Sequence, residues 1–180
     1  MTIRTLTRSA FAAALLAGST AAFAQTAEGE NAEAPAQPAG PAWAVTCANN
    51  VDLTALQCSA FQELRVQQSG QRLVRVQITV PGGENQPIFS MSLPHGINFG
   101  EGAKLTIDGG DTRQFPIQSA DQNGSYTQVQ FDDGLAAAMR AGTEGKLRLR
   151  LLNGQDLEIS ISLNGFTKAI DLALAGAGNS

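Results

Sequence analysis

The residue types that most often do chemistry in proteins are scarce in this chain of 180 residues. It contains two cysteines, Cys47 and Cys58, and a single histidine, His95. A cysteine pair can form a disulfide, ligate a metal or supply a nucleophilic thiolate, and a histidine can act as a general base or a metal ligand. The spacing of these residues and the residues around them decide among these uses.

The two cysteines favour a structural disulfide. An even cysteine count makes a disulfide the default interpretation in an exported chain, and the N-terminus described below predicts export. A redox or nucleophilic cysteine is the alternative, but Cys47 and Cys58 lack the C-x-x-C spacing of redox motifs, and no base stands out near them. A bond that closes a loop of this length is expected to stabilise the fold by roughly 3 kcal/mol.

His95 is interpreted as a candidate ligand or partner contact, together with Asn98. A catalytic histidine needs a nucleophile, and the sequence has neither a G-x-S-x-G motif nor a second histidine. A metal site needs further ligands, which the cysteines do not supply if they are bonded to each other. The sequence therefore predicts no catalytic residue, no metal and no cofactor, and the protein is not expected to be an enzyme.

The aspartates near glycines and helix starts have structural explanations. Residues 121–125, DQNGS, place their glycine too early for a calcium-binding EF-hand loop and lie between predicted strands, so they predict a turn. Asp108 and Asp111 bracket a Gly-Gly reversal; they could bind a cation, but hydrogen bonds to the turn backbone are the commoner use. Asp132 or Asp133 is predicted to cap a short helix, because a carboxylate accepts the free N–H groups of a first helical turn.

The first 24 residues are typical of a secretory signal peptide. Arg4 and Arg8 form a basic start, residues 10–18 form a short apolar run, and Ala22 and Ala24 are the small residues of a cleavage site. We predict cleavage after Ala24 and localisation to the periplasm or the medium. The apolar run is too short for a membrane-spanning helix, so no transmembrane segment is expected in the mature chain.

Composition divides the remaining chain. Residues 25–41 have no periodicity and contain three glutamates and three prolines, so they predict a disordered acidic linker. Residues 42–175 are long enough for one ordinary domain, and residues 176–180 predict a flexible tail. The net charge of −4 argues against general nucleic-acid binding, which needs a positive surface.

The pattern of the domain predicts an all-β protein: an antiparallel β-sandwich or barrel-like sandwich of about nine strands with two short helices. Apolar residues alternate with polar ones over several segments, the period of two expected when one face of a strand is buried, and no β-α-β alternation is present. The predicted strands are residues 43–47, 61–67, 72–80, 88–93, 103–107, 112–118, 125–131 and the two arms of a hairpin over 146–163. The predicted helices are residues 134–140 and 167–174.

The hairpin also has a predicted register. A two-residue Asn-Gly turn would set Arg148 against Ile159 and mix polar with apolar residues on one face, whereas facing residues must share a side. A three-residue loop, Leu152-Asn153-Gly154 with Gly154 left-handed, restores the sorting. It pairs Leu149 with Leu157, Arg150 with Asp156, and Arg148 with Glu158.

A central stretch, residues 90–110, resembles the L-P-x-G-x-x-x-x-x-G-x-x-L-x-I-D pattern of the invasion-associated locus B family. The resemblance extends to an opening W-x-V-x-C and a closing S-L-x-G-F-x-x-A, from about residue 43 to residue 174. The matching residues are Trp43, Val45, Cys47, Cys58, Leu93, Pro94, Gly96, Gly102, Leu105, Ile107, Asp108, Ser162, Leu163, Gly165, Phe166 and Ala169.

The resemblance implies an exported α-proteobacterial envelope or secreted protein with a β-rich domain and no catalytic residues. In pathogens, members are linked to attachment to and entry into host cells. Family members usually carry two further cysteines near Ser119 and Ser125, and the joint absence of both here supports the pairing of Cys47 with Cys58.

Two functional hypotheses follow. The first is a non-catalytic envelope or secreted binding protein, whose partner is an unknown protein or an envelope or host-surface component. The alternative is a periplasmic small-ligand binder or enzyme with a loop site around His95, which a deep pocket lined by His95 would favour.

Overall fold

The computed structural model describes residues 42–49, 56–82 and 86–178. The predicted signal peptide and linker, residues 50–55 between the cysteines, residues 83–85 and the last two residues lie outside the described residues. The described part of the chain forms ten strands, a single 3-10 turn and two α-helices. The strands are β1 (Ala44–Asn49), β2 (Leu56–Arg65), β3 (Arg72–Val80), β4 (Ile88–Leu93), β5 (Ala103–Ile107), β6 (Thr112–Phe115), β7 (Ser119–Asp121), β8 (Gly124–Gln130), β9 (Glu144–Arg150) and β10 (Asp156–Ser162). The 3-10 turn spans Phe99–Glu101, and the helices are α1 (Asp133–Ala141) and α2 (Phe166–Gly178).

The strands form two open antiparallel sheets, which confirms the predicted β-sandwich. The six-stranded sheet has the order β1-β2-β3-β4-β8-β7, and the four-stranded sheet has the order β10-β9-β5-β6. Among the described strands the two sheets do not close into a barrel, so the open sandwich and not the barrel-like form is adopted. Helix α2 packs on β1, β2 and β3, and α1 packs against α2.

One predicted strand is divided between the two sheets. Residues 112–118 were expected to form one strand, but β6 ends at Phe115 and β7 begins at Ser119. The break falls at Pro116, whose missing N–H cannot join a strand ladder. Phe115 therefore ends a strand of the four-stranded sheet and Ser119 begins one of the six-stranded sheet, which accounts for the tenth strand.

Most other boundaries agree with the expectation to within two residues, but two differ by more. Strand β2 begins at Leu56, five residues before the predicted start, because its inward positions hold Cys58, Ala60 and Gln62 and do not read as an apolar alternation. Helix α2 continues to Gly178, so the domain boundary drawn at residue 175 falls inside a helix. Residues 176–178 are helical rather than a flexible tail, because the small residues Ala173 and Ala177 are buried on the packed face of α2.

A chain of aromatic contacts runs through the core between the sheets. Trp43 meets Phe166 edge-to-face with ring centroids 4.9 Å apart, and Phe131 lies 6.3 Å from Phe166. Phe89 then contacts Phe131 at 6.5 Å and Phe115 at 5.1 Å. Such pairs contribute about 0.5–1.5 kcal/mol each beyond their burial.

A shared carbonyl group connects the two sheets. The Trp43 indole N–H donates to the Ser162 carbonyl oxygen at 2.8 Å, and the buried Gln62 side chain donates to the same oxygen at 3.0 Å. Trp43 precedes β1 and Gln62 lies on β2, whereas Ser162 ends β10. Trp43, just before β1, and Gln62 on β2 therefore hold the end of β10, which is an edge strand of the four-stranded sheet.

The register of the 146–163 hairpin is confirmed. Leu149 faces Leu157, Arg150 faces Asp156, and Arg148 faces Glu158. The Leu151 N–H donates to the Gln155 carbonyl oxygen at 2.8 Å, which closes a three-residue loop. Gly154 has a φ of 83°, the left-handed conformation that the loop requires.

Candidate functional site

The cysteine pair lies at one edge of the six-stranded sheet. Cys47 on β1 faces Cys58 on β2, and their sulfurs form a disulfide with an S–S distance of 2.01 Å. Cys58 is fully buried, and Gly176 of α2 lies directly on the two sulfurs. The bond joins two neighbouring strands beneath a helix, which is a structural position.

His95 and Asn98 lie at one end of the sandwich, and the structure gives Asn98 a structural role. The Asn98 side chain accepts a hydrogen bond from the Gly100 N–H at 3.0 Å and so caps the 3-10 turn. The segment pairs with the β9–β10 loop, because the Leu152 N–H donates to the Gly96 carbonyl oxygen at 2.8 Å. His95 is exposed beside this pairing, and it does not line any of four grooves of about 460–620 Å³ in the described residues.

The other residues of the central motif position this end of the sandwich. Leu93 is buried at the end of β4, and Pro94 follows it at the corner. Gly96 has a φ of 78° in the segment that pairs with the β9–β10 loop. At Gly102 an added Cβ would stand 2.6 Å from the Phe115 carbonyl oxygen, so the close approach of β6 also requires glycine.

Asp108 holds two distant segments together. Its carboxylate accepts hydrogen bonds from the Thr143 N–H, the Glu144 N–H and the Thr143 hydroxyl, each at 2.9 Å. These bonds, the one from the Glu144 backbone above all, hold the pKa of Asp108 below its usual value. The expected bonding to its own turn is replaced by bonding to the start of β9, thirty-five residues further along the chain.

Asp132 is the helix cap of the two candidates. Its side chain accepts from the Leu135 N–H at 2.9 Å, and both of its oxygens also accept from the Arg113 guanidinium of β6. The Arg113 hydrogen bonds, followed by the Leu135 N–H, lower the pKa of Asp132 to about 2. The same contact raises the pKa of Arg113, so this pair connects α1 to the four-stranded sheet as two charged groups.

An apolar groove of about 490 Å³ lies between α1 and the turn that joins β5 to β6. Its walls include Leu105, Ile107, Leu135 and Ala138. Its rim carries Asp108 and Arg113, and both are already engaged in the contacts described above. Asp108 and Arg113 are therefore used to hold the fold, while Asp111 is a further charged residue of this groove.

The outer face of the four-stranded sheet is charged, and five of the charged side chains on β9 and β10 form ion pairs. Arg150 lies 3.2 Å from Asp156, and Glu158 lies 3.3 Å from Arg148 and 3.8 Å from Lys146. The basic row of β9 is thus partly neutralised by β10, as the predicted register requires. Exposed pairs of this kind contribute about 0–1 kcal/mol each.

The outer face of the six-stranded sheet is different, because two of its cross-strand rows carry no charge. One row runs Phe61, Gln77, Ser90 and Gln128 across β2, β3, β4 and β8, and the next runs Ser59, Thr79, Ile88 and Gln130. A groove of about 460 Å³ opens at the β8 end of these rows. It is lined by Pro81, Gln86, Ile88, Gln118, Gln128, Val129 and Gln130.

Sequence reasoning did not find this glutamine-lined groove. Its glutamines come from three separate segments, and neutral amides at ordinary strand positions form no recognisable motif. The outward positions of β4 and β8 could have been read from their alternation, but the pairing of β4 with β8 joins segments about forty residues apart. The structure brings these amides together and leaves His95 elsewhere.

The described residues contain neither a metal-binding cluster nor a membrane-spanning helix. No group of three or more His, Cys, Asp or Glu side chains in the described ranges is arranged to hold a metal ion. Neither helix in these ranges is long and apolar enough to cross a membrane.

The fold is an open antiparallel β-sandwich with a helix packed on its disulfide-linked edge. The chain belongs to the invasion associated locus B (IalB) protein family, whose model matches residues 43–173. The crystal structure of invasion associated protein b from Bartonella henselae is similar, with a TM-score of 0.66 and 21% sequence identity. The similarity covers 76% of this chain and 92% of that chain, and at this identity it concerns the fold. No curated protein matches the chain.

Proposed function

We propose that this protein is exported and acts as a non-catalytic binding protein of the cell envelope or the medium. The observation that carries the proposal is membership of the invasion associated locus B family over residues 43–173. The Bartonella henselae protein is described as invasion associated. We extend to this chain a role in attachment to, or entry into, host cells.

The sequence supports the proposed export and domain organisation. Residues 1–24 have the basic start, apolar run and small-residue cleavage site of a signal peptide. In this proposal residues 25–41 form a linker, and the β domain that follows contacts the partner. A disulfide between Cys47 and Cys58 suits the oxidising conditions outside the cytoplasm.

The polar side chains that could take part in catalysis make structural contacts instead, and this supports a binding role without catalysis. Asp108, Asp132 and Asn98 accept backbone hydrogen bonds that fix turns and helix starts, and the cysteines are bonded to each other. His95 lines none of those four grooves in the described residues, so they lend no support to the alternative of a small-ligand site or enzyme at this residue. Large outer faces on both sheets remain for contact with a protein or an envelope or host-surface component.

A deletion of the gene in the source bacterium tests the proposal. The deletion strain is complemented with the full chain or with a variant that lacks residues 2–24, and bacteria attached to and inside cultured host cells are counted. We expect the deletion to reduce attachment or entry, and only the full chain to restore it. Attachment and entry unchanged by the deletion, or restored equally by the variant without residues 2–24, would contradict the proposal.

A further inference from the structure

We infer that the glutamine-lined groove on the outer face of the six-stranded sheet binds a neutral carbohydrate chain. The inference rests on the proposed function and names the chemical class of its partner. The groove has a volume of about 460 Å³, within the range of small-ligand sites. It is defined by Gln86, Gln118, Gln128 and Gln130 around an apolar floor of Ile88 and Pro81.

The amides of the groove are partly bonded to one another and partly open. The Gln118 side chain accepts from the Gln128 N–H at 2.7 Å and donates to the Gln128 carbonyl oxygen at 2.8 Å. The Gln130 amide donates to the Gln86 side-chain oxygen. These bonds orient Gln118, Gln86 and Gln130, while the exposed side-chain amide of Gln128 makes no hydrogen bond within the described residues.

A second set of bonds orders the face that extends from the groove. The Gln77 amide donates to the Thr79 hydroxyl at 2.7 Å and to the Ser59 hydroxyl at 3.2 Å. Its oxygen accepts from the Arg75 guanidinium at 2.9 Å, and that guanidinium is itself held over the Phe61 ring at 3.9 Å. The polar groups are therefore ordered before any partner binds, which lowers the entropic cost of binding.

The chemistry of these groups matches a polyol without charge. The open amide of Gln128 offers donors and an acceptor in one plane, as neighbouring sugar hydroxyls require. Ile88 with Pro81 offers an apolar surface to the C–H face of a ring. Neighbouring strands are about 4.8 Å apart, so the row Gln77, Ser90 and Gln128 repeats polar groups at about the length of one pyranose ring. Several rings in a chain could contact the row at once.

Two other kinds of partner fit this surface less well. An anionic partner would need free cations, but the eight residues of the two rows include none, and Arg75, which lies over Phe61, is paired with Glu63 at 3.6 Å. An extended peptide would need an open strand edge, but at Gln128 the Gln118 side chain already occupies the outer N–H and carbonyl groups of β8. A neutral carbohydrate needs neither.

Native gel electrophoresis in gels that contain dextran, mannan or a soluble β-1,3-glucan, with heparin gels as the anionic comparison, tests the inference. The exported form of the protein is compared with the double variant Gln128→Ala/Gln130→Ala and with Gln114→Ala, an exposed glutamine of β6 in the other sheet. None of these substitutions changes the charge, so mobility differences between gels with and without polymer report binding. Thermal unfolding of each variant establishes that it is folded.

We expect at least one neutral polymer to retard the protein, the double variant to bind it about tenfold more weakly because several hydrogen bonds are lost, and Gln114→Ala to bind unchanged. Three results would each overturn the inference: no retardation by any of the three polymers, equal retardation of the double variant, or retardation by heparin alone. None of these results bears on export or host-cell attachment, so the proposed function is tested separately.

Discussion

Gly176 of α2 lies directly on the sulfur of Cys58. A Cβ atom placed on Gly176 would stand 2.6 Å from the Cys58 Sγ and 3.0 Å from the Cys47 Sγ. The helix therefore approaches the disulfide more closely than any side chain permits, and the glycine is required for packing. The bond and the C-terminal helix form one structural unit at the β1–β2 edge.

Gly176→Ala is expected to lower the free energy of unfolding by about 1–3 kcal/mol, because the added methyl group forces the helix away from the sulfurs. Gly178→Ala is the matched control, since an added Cβ at Gly178, the last residue of the same helix, meets no atom within 4 Å. Urea denaturation of the two variants and the parent measures the difference. A Gly176→Ala variant as stable as Gly178→Ala would contradict the packing described.

The disulfide itself provides a second control. Replacing both cysteines by alanine should cost roughly 3 kcal/mol through the lost cross-link and should leave a folded protein. In that background Gly176→Ala should cost much less, because the sulfurs that it meets are gone. If Gly176→Ala lowered the stability equally with and without the cysteines, the added methyl group would not be clashing with the sulfurs.

The hairpin formed by β9 and β10 allows a conformational test. Gly154 has a φ of 83° and no atom within 4 Å of an added Cβ, so a substitution there acts through the backbone alone. Gly154→Val should cost more than about 1 kcal/mol, because a β-branched residue is poorly tolerated at positive φ. Gly154→Asn should cost much less, since asparagine tolerates the left-handed region.

The exposed ion pair between Arg148 and Glu158 in the same hairpin provides a comparison for the effect on stability. Arg148→Ala should cost well below 1 kcal/mol, because exposed pairs contribute little. The measurement for all three variants is chemical denaturation. A Gly154→Val variant no less stable than Gly154→Asn would be incompatible with the three-residue loop.

Asp132 predicts a dependence of stability on pH. Its pKa in the folded protein is about 2, below the ordinary value of 3.8, so its carboxylate stabilises the fold above pH 3.8 and loses this contribution as the pH falls towards 2. Asp132→Asn keeps a capping oxygen but loses the charged contact with Arg113. At pH 7 it should be less stable than the parent by up to about 1 kcal/mol, since the pair is exposed.

The difference between Asp132→Asn and the parent should shrink steadily as the pH falls from about 5 to 2, because at pH 2 about half of the parent carboxylate is protonated in the folded protein. Asp133→Asn removes the same charge one residue later and leaves the Arg113 and Leu135 contacts in place, so it serves as the control. Thermal unfolding at both pH values measures the effect. A stability difference for Asp132→Asn that persists unchanged at pH 2 would rule out its assignment to the carboxylate charge.

Local patterns predicted the strands whose faces are clearly sorted. In β9 and β10 the period of two and the need for facing residues to share a side determined the register, including the left-handed Gly154. The alternation of polar and apolar residues did not predict the structure where the buried positions hold small or polar residues. Small or polar inward residues hid the start of β2, and the glycine and alanine residues at the end of α2 read as a tail because the disulfide they cover is distant in sequence.

The candidate sites were harder to predict, because they also depend on contacts between residues that are distant in sequence. A cap at Asp132 or Asp133 was predicted because capping is local. The hydrogen bonds that Asp108 accepts from Thr143 and Glu144 depend instead on how distant segments meet. The glutamine-lined groove exists only because β4 and β8 are neighbours in the sheet. His95 was a candidate because it is the single histidine, but it is exposed and lines none of the four grooves of the described residues.

The central claim is that this member of the invasion associated locus B family works outside the cytoplasm as a binding protein. Mass spectrometry of the native protein, after separation of cytoplasm, periplasm, membranes and medium, tests it most directly. We predict a mature chain that begins at Gln25 and is found in the periplasm or the medium. A chain that retains residues 1–24 and is found in the cytoplasm would contradict the account.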